Sequence, residues 1–237
     1  MRELELALIR ASDMTLVVTD SERALVQADV PDATVKVVPN VNPVRWPVPA
    51  LHGRAGVVFV GGFEHPPNVD GALMLLQEVM PAVWRQLGDV PVKIVGADPP
   101  EAVSSLASEN VEIAGWVPDL DSVLDSTRAL VAPLPYGAGL KGKVTQALAC
   151  GLPVVTTPVG AEGLDALDGE HMLIAETPEG LAGRVVDVLR DDELWQRLSS
   201  AGVELARERC SPRLMSSRLG EVLELSFRSP AHVAAAR

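Results

Sequence analysis

The sequence predicts an α/β protein, with a Rossmann-like, doubly wound parallel sheet and helices on both faces. Six short apolar segments alternate with longer amphipathic segments after residue 56. The short segments are mostly apolar and rich in valine, as expected for strands buried on both faces. Glycines follow most of them. Ligands of such sheets bind outside the carboxyl ends of the strands, where helix N-termini point.

The predicted elements follow one another in a regular order. The strands are GVVFVGG (56–62), VPVKIVGAD (90–98), VEIAGW (111–116), ALVAPLP (129–135), PVVTTP (153–158) and HMLIAE (171–176). The helices are predicted at 68–89, 100–109, 120–127, from Gly139 or Leu140 onward, and at 177–192, 192–209 and 212–227. The loops predicted to carry a ligand are 61–68, 96–100, 115–120, 135–143 and 157–164.

A different pattern precedes this alternation. TLVVTD (15–20) and TVKVVPN (34–40) are predicted strands, and the helix between them is expected to be capped by Ser21. A proline-rich stretch then indicates a linker. Because two strands and two helices cannot bury a core of their own, we expect residues 1–45 to dock, intramolecularly or in a homodimer, and not to be disordered.

Composition excludes several classes of function. The net charge of -12 makes an extended nucleic-acid surface improbable, so an anionic ligand must be held by a few local donors. The two cysteines, Cys150 and Cys210, lack metal-ligand spacing and indicate reduced, packed thiols. The four histidines are scattered, and we expect neither a bound metal nor a cofactor. No secretory leader or apolar run of about 18 residues is apparent.

The stretch GAGLKGKVTQALACGLPVVTTPVGAEG (137–163) carries the most specific chemistry. Its first glycines let backbone amides approach a ligand closely. Lys141 and Lys143 fall in the first turn of the predicted helix, where the helix dipole disfavours cations. A bound phosphate or diphosphate would explain both lysines. The alternative is that both are solvated surface residues.

The same stretch resembles the donor-binding core of the retaining GT-B glycosyltransferases of family 4, the "group 1" glycosyltransferases. The resemblance is carried by QALACGLPVVTTPVGAEGL, by FVGGFEHPPNVDG and by VEIAGWVPD, and it covers residues 57–225. The first 45 residues resemble the last βαβ unit of the family's N-terminal domain. The resemblance therefore implies the tail of an acceptor domain (1–45), a linker (46–56), a donor-binding domain (57–228) and a flexible C-terminal tail (229–237).

The resemblance also implies roles for individual residues. The donor diphosphate would be bound by Gly61, Gly62, Gly139, Lys141 and Lys143, with Lys143 preferred. The ribose would be bound by Gln146, the base by Trp116 and Val117, and the sugar by Gly160, Ala161, Glu162 and Gly163. His65 and Asn68 are weaker candidates near the diphosphate. For Asn68 the alternative is the N-cap of the long helix, and for Trp116 it is a place in the core.

The sequence departs from the family at two carboxylates. The two glutamates that the family spaces eight positions apart fall on Ala138 and Gln146. An amide at 146 can still bond a ribose hydroxyl, whereas Ala138 cannot contact the sugar through its side chain. We expect Gln146→Glu to preserve or tighten nucleotide binding. No catalytic residue is assigned.

The implied function is the transfer of a glycosyl group, with retention, from a nucleotide-diphosphate sugar to an unknown acceptor (a glycan, a lipid or a small molecule). We expect this chain alone to bind the donor but to be inactive. One alternative is a non-catalytic module that binds nucleotide sugars, and another is a GT-B type nucleotide-sugar epimerase. The expected location is cytoplasmic, with peripheral attachment at the inner membrane face as a variant.

Overall fold

The structure, a computed structural model, describes residues 2–48 and 50–228. The tail predicted at 229–237 lies outside the described residues. The chain divides into two compact units. One consists of Pro43–Arg207, and the other contains the described residues of Met1–Asn42 and Glu208–Arg237.

The N-terminal part of the smaller unit contains α1 (Arg2–Ala11), β1 (Thr15–Val17), α2 (Asp20–Asp29) and β2 (Val35–Val37). The two strands pair in parallel, with Thr15 opposite Val35. The predicted cap of α2 was wrong. Thr19, not Ser21, accepts the hydrogen bond from the Glu22 amide, and the Glu22 carboxylate accepts from the Thr19 amide in return. This reciprocal arrangement starts the helix one residue before Ser21.

The larger unit is built on the predicted sheet. Its strands are β3 (Val57–Val60), β4 (Val92–Val95), β5 (Val111–Gly115), β6 (Ala129–Ala132), β7 (Val154–Thr156) and β8 (Leu173–Ile174). All the strand pairs are parallel, in the order β5-β4-β3-β6-β7-β8. The predicted fold class and all six predicted strands are therefore confirmed. The chain leaves the centre of the sheet in one direction and returns to extend it in the other, so a topological switch point lies between β3 and β6.

Helices connect the strands on both faces of the sheet, and two further helices of this series follow the last strand. They are α3 (Pro66–Met74), a π-helical segment (Leu75–Val79), α4 (Met80–Leu87), α5 (Glu101–Ser104), α6 (Leu120–Ser126), α7 (Gly142–Ala149), α8 (Pro158–Ala161), α9 (Pro178–Arg190) and α10 (Asp192–Cys210). The last helix, α11 (Pro212–Arg228), belongs to the smaller unit. No described helix combines the length and the apolar character that crossing a bilayer requires.

The core of the larger unit is continuous along the sheet. Phe59, Ile94, Leu130 and Val155 are fully buried, and Trp195 of α10 is 2% exposed. The approach to the sheet is anchored by Arg54, whose guanidinium donates to the carbonyl oxygens of Leu124 at 2.7 Å and Thr127 at 3.0 Å. Arg54 also lies over the Trp195 ring, 5.3 Å from its centroid. The stretch after residue 43 is thus fixed to the sheet domain at this point.

Candidate functional site

The site is formed where the carboxyl ends of β3 and β6 meet. Two glycines allow the β3 and β4 ends to come together: a Cβ on Gly96 would lie 1.8 Å from the carbonyl oxygen of Gly61. Gly61 in turn is covered by Asn68, since a Cβ there would lie 2.7 Å from Asn68 Cγ. Side chains at these two positions would therefore separate the strand ends from the first turn of α3.

Lys143 lies at the centre of this junction, in the first turn of α7. Its Nζ donates to Asn68 Oδ1 and sits 4.7 Å from the centroid of the Phe59 ring, which is fully buried. Burial, helped by the neighbouring charge of Lys141, lowers the pKa of Lys143 to about 8. Among the described residues, no carboxylate forms an ion pair with it. Among the described residues, this partly buried ammonium therefore has no anionic partner.

Asn68 connects Lys143 to the glycine loop after β3. Its Nδ2 donates to the Gly62 carbonyl oxygen at 2.7 Å while its Oδ1 accepts from Lys143. The alternative that Asn68 is the N-cap of the helix is wrong, because α3 begins earlier, at Pro66, with His65 in the cap position. Proline is well suited to the first helical position because its ring presets φ and it has no N–H to satisfy. His65 is exposed, and its Nε2 lies 3.4 Å from the carboxylate of the neighbouring Glu64.

Lys141 lies beside this site but has different partners. Helix α7 begins at Gly142, two or three residues later than predicted, and Lys141 occupies its N-cap position. Gly139, with φ of 73°, holds the preceding loop in the left-handed region. Lys141 Nζ donates to the Gly139 carbonyl oxygen at 2.5 Å and to Glu162 Oε2 at 3.2 Å. With only 11% of its side chain exposed, Lys141 is not a solvated surface lysine.

The loop after β7 approaches the site through Glu162. It begins with the short helix α8, whose N-cap Thr157 donates to the Leu134 carbonyl oxygen at 2.7 Å. The amides of Gly160 and Ala161 donate to Thr157 within this turn, so neither is free for a sugar in this structure. Gly163 follows with φ of 79°. Of the four residues predicted to bind the sugar, Glu162 is the one whose side chain reaches a predicted diphosphate residue.

Gln146 lies on the same helix as Lys143, about one turn further on. Its Nε2 donates to Asp121 Oδ1 at 3.4 Å. Asp121 Oδ2 accepts from Arg45 at 2.7 Å, and the Cys150 thiol lies 3.9 Å from Asp121 Oδ1. Burial raises the pKa of the Cys150 thiol to about 11, so it remains protonated at neutral pH.

The residues predicted to face the base lie at the end of β5. Trp116 is 70% exposed, so the alternative of a place in the core is wrong. Val117 beside it is partly buried, and Asp119 caps α6 by accepting from the Ser122 amide at 3.1 Å. An indole with this exposure at the carboxyl edge of a parallel sheet is accessible to a stacking ligand.

Four contributors to the site were missed by sequence reasoning. Phe59 was predicted only as part of a buried strand, and Asp121 only as part of a helix. Tyr136 donates to Asp70 Oδ2 at 2.6 Å and so links the loop before α7 to α3. Only the position of Tyr136 in a predicted ligand loop, with Asp70 two residues after another such loop, could have suggested this pair. Ala138 is exposed and offers no polar side chain, as predicted from its type.

Within the described ranges, no group of three or more His, Cys, Asp or Glu side chains is arranged to hold a metal ion. Both cysteines are buried and form no disulfide. The polar groups of the site thus include two lysines, the Asn68 amide and the Glu162 carboxylate that contact them, and the backbone at glycines. This set suits an anion with neighbouring hydroxyl groups.

Comparison with known proteins gives the site its context. The family model described as glycosyl transferases group 1 matches residues 54–191, which is more than half of the chain. A phosphatidyl-myo-inositol mannosyltransferase of Mycobacterium leprae is 30% identical over 158 residues, covering 64% of this chain and 41% of that protein. An uncharacterized 44.6 kDa protein in the cps region of Klebsiella pneumoniae is 26% identical over 159 residues, covering 63% and 41%. The chain thus spans about two-fifths of the length of these curated relatives.

Solved structures share the fold. S. aureus TarM, solved with Fondaparinux, alpha-GlcNAc-glycerol and UDP, superposes with a TM-score of 0.80 at 17% identity, covering 96% of this chain and 46% of that one. Anabaena HepE with UDP and glucose gives a TM-score of 0.75 at 14% identity, covering 94% and 67%. These likenesses show a GT-B fold, of which the six-stranded sheet is one Rossmann-like half. On the family match, the chain belongs to the glycosyl transferases group 1 family.

Proposed function

We propose that the larger unit, which contains most of the donor-binding domain predicted at 57–228, holds a nucleotide-diphosphate sugar for glycosyl transfer, with retention, to an acceptor bound elsewhere. The observation that carries the proposal is Lys143. A partly buried ammonium without a carboxylate partner is costly for the free protein. That cost has a function if a ligand supplies the missing negative charge.

A diphosphate would supply the negative charge that the surroundings of Lys143 lack. It would bring negative charge to a partly desolvated ammonium, where electrostatic interactions are stronger than in water. It would also meet the free N–H groups at the start of α7 and the positive end of the helix dipole. As the bond to the sugar breaks, negative charge grows on the diphosphate, and a fixed cation stabilises that charge. Lys141, Gly61, Gly62 and Gly139 complete this proposed subsite.

The remaining parts of the donor are assigned to the loops around Lys143. We assign the ribose to Gln146 and the base to Trp116 and Val117, which lie at the end of β5. The sugar is assigned to residues 160–163, with Glu162 as the acceptor of sugar hydroxyls. When a diphosphate attracts Lys141, the Glu162 carboxylate loses its ion-pair partner and becomes free to accept those hydroxyls.

Relatives support a nucleotide sugar without fixing its base. The TarM and HepE structures contain UDP, and one curated relative is a phosphatidyl-myo-inositol mannosyltransferase. The identity of the acceptor is not assigned. Because of these relatives, cell-envelope glycans and lipids are the acceptor classes to test first. We propose that residues 1–45 are the tail of an acceptor domain and that transfer needs the rest of that domain. We also propose that the enzyme works in the cytoplasm or at the inner membrane face. A homodimer through residues 1–45 stays a prediction.

A second candidate follows from Ala138. The family pattern expects a carboxylate at this position, and the alanine supplies no side-chain contact to a sugar. A non-catalytic module would bind the nucleotide sugar through the same lysines but transfer nothing, even when joined to an acceptor domain. Transfer by a longer chain that includes such a domain would exclude this candidate.

Calorimetry with nucleoside diphosphates and the corresponding nucleosides tests the proposal. We expect Lys143→Ala to weaken UDP or GDP binding by roughly 10- to 100-fold, as for a lost hydrogen bond to a charged group, and to leave uridine or guanosine binding unchanged. Lys93→Ala is the matched control, because Lys93 lies on β4 of the same sheet and pairs with Glu112 at 3.0 Å. Equal weakening of nucleoside and diphosphate, or no weakening, would contradict the role of Lys143.

A further inference from the structure

Asp121 is an unexpected neighbour of the predicted ribose residue. It lies in the first turn of α6, 25 residues before Gln146, and belongs to no part of the stretch 137–163. Its carboxylate is 55% exposed, yet both of its oxygens have partners. Oδ2 accepts from Arg45 at 2.7 Å, and Oδ1 accepts from Gln146 Nε2 at 3.4 Å, with the Cys150 thiol 3.9 Å away.

These partners settle which end of the Gln146 amide faces Asp121. A carboxylate oxygen can only accept hydrogen bonds, so the NH2 group of Gln146 must point at Asp121 and the amide oxygen must point away. A flipped amide would place two acceptors against each other. Within the described part of the chain, no donor reaches the Gln146 oxygen. The side chain therefore presents a free acceptor on the side away from α6.

We infer that Asp121 is a positioning residue that holds the Gln146 amide with its oxygen toward the ribose of the bound nucleotide. The inference rests on the proposed function of this site. Ribose hydroxyls donate well to an oxygen acceptor, which a glutamate would also supply. With Asp121 in place, a neutral amide at position 146 presents the same acceptor without setting two carboxylates side by side.

This pairing reverses the expectation for Gln146→Glu. A glutamate would bring its carboxylate within hydrogen-bonding distance of Asp121, and like charges at such a separation repel each other. Arg45 offsets only part of this repulsion because it already binds Asp121 and Asp125. The substitution should weaken nucleotide binding unless Asp121 is changed as well. Gln146 and Asp121 thus form a matched pair.

The test compares ribose recognition with affinity. Calorimetry on the full chain uses UDP and GDP together with their 2′,3′-dideoxy analogues. The variants are then measured with the nucleotide, UDP or GDP, that binds the wild type more tightly. We expect the wild type to prefer the ribonucleotide by about tenfold, the worth of one or two hydrogen bonds. Asp121→Asn should reduce this preference to about threefold or less, because an asparagine can face Gln146 with either end of its amide.

The paired substitutions make the inference sharp. Gln146→Glu alone should weaken ribonucleotide binding by about fivefold or more, as for a close pair of like charges. The double variant Asp121→Asn with Gln146→Glu should recover the wild-type preference, because the introduced amide can donate to the introduced carboxylate. If the double variant bound the ribonucleotide no more tightly than Gln146→Glu does, the inference would be overturned.

Asp125→Asn is the matched control. Asp125 also binds Arg45 and lies on the same helix, but it makes no contact with Gln146. We expect this variant to melt at a lower temperature with an unchanged ribose preference. An equal loss of preference in Asp125→Asn would show that Asp121 acts only through the stability of α6, and would overturn the inference.

Failure of the inference can be told from failure of the proposed function. If the wild type binds a nucleoside diphosphate but does not distinguish the dideoxy analogue, Gln146 does not contact the ribose and the inference falls while the role of Lys143 stands. If neither UDP nor GDP binds the wild type, both fall together.

Discussion

Lys143 destabilises the ligand-free protein, and we expect ligand binding to offset this destabilisation. Burial lowers its pKa from 10.5 to about 8, which corresponds to an upper bound of roughly 3 kcal/mol at neutral pH. Methionine has a similar length and no charge to desolvate. We therefore predict that Lys143→Met raises the free energy of unfolding of the ligand-free protein at pH 7. The net gain should be about 1–2 kcal/mol, because the lost hydrogen bond to Asn68 offsets part of the effect. The same variant should lose its thermal stabilisation by UDP or GDP.

The pH dependence of unfolding checks this prediction, because its sign is fixed. Below pH 8, Lys143 is charged in both states and the full cost is present. Between pH 8 and 10.5 the folded lysine is neutral while the unfolded one still holds its proton, so this contribution to stability rises with pH. The difference in free energy of unfolding between Lys143→Met and the wild type should narrow by about 1 kcal/mol from pH 7 to pH 9 in denaturant titrations.

The measurement should stop near pH 9. Burial raises the pKa of Cys150 and Cys210 from 9.0 to about 11, so the unfolded thiols ionise first and stability falls with pH above 9. Both variants share this loss, which cancels in their difference. A gap that stays constant from pH 7 to pH 9 would mean that the lysine is not desolvated in solution.

Residue types could be predicted from the sequence better than residue partners. The lysine and glycine positions of the site are visible because they break local rules, such as cations in the first turn of a helix. The contacts of Arg45 and Asp121 could not be predicted, since they join segments 76 residues apart through ordinary charged side chains. Trp116 could not be placed either, because an indole after an apolar strand suits the core and the surface equally well.

At the scale of elements, the strands were easier to predict than the helix starts. Buried strands show as apolar runs, and all six were found in order. Helix starts depend on single cap residues, and several local candidates compete. Thr19 displaced Ser21 because Glu22 completes its capping box, and α7 started late because glycine conformations keep residues 137–139 out of the helix. The short helix α8 has only its Thr-Pro start as a signal.

Helix α8 offers a prediction about close packing. A Cβ on Gly160 would lie 1.9 Å from Thr156 Oγ1, and Thr156 is fully buried with its hydroxyl on the Ala132 carbonyl oxygen. Gly160→Ala should therefore destabilise the protein by about 2–3 kcal/mol, since Thr156 must rotate and lose that bond. Gly183→Ala is the control: it lies inside α9 with nothing within 4 Å, and alanine there should stabilise by about 0.5–1 kcal/mol.

Chemical denaturation of both variants measures the contrast. Opposite signs are expected from the same substitution in two helices. If Gly160→Ala were neutral in stability but weakened UDP or GDP binding, the glycine would serve the ligand and not the packing beneath it.

At the scale of the whole molecule, the two units differ in how well they are packed. The larger unit has a core of large, fully buried side chains that runs along all six strands. In the smaller unit the two strands are only three residues long, and the described buried apolar side chains include Ile9, Val30 and Val35. Leu4, Leu8, Leu16 and Leu25 of this unit are 49–68% exposed. Stability within the chain should therefore be uneven.

We predict that the chain unfolds in two steps, with the smaller unit first. Amide hydrogens of residues 14–40 should exchange faster than those of the six strands, because a small apolar core supplies less free energy against local opening. Every residue assigned to the donor belongs to the larger unit, so UDP or GDP should raise only the second melting transition. Hydrogen exchange with and without the nucleotide, followed by mass spectrometry, resolves the two units. Added protection should appear in residues 61–68, 135–143 and 157–164 and not in 14–40. A single transition that shifts as a whole, with equal protection in both units, would show that the units fold as one and would contradict the prediction.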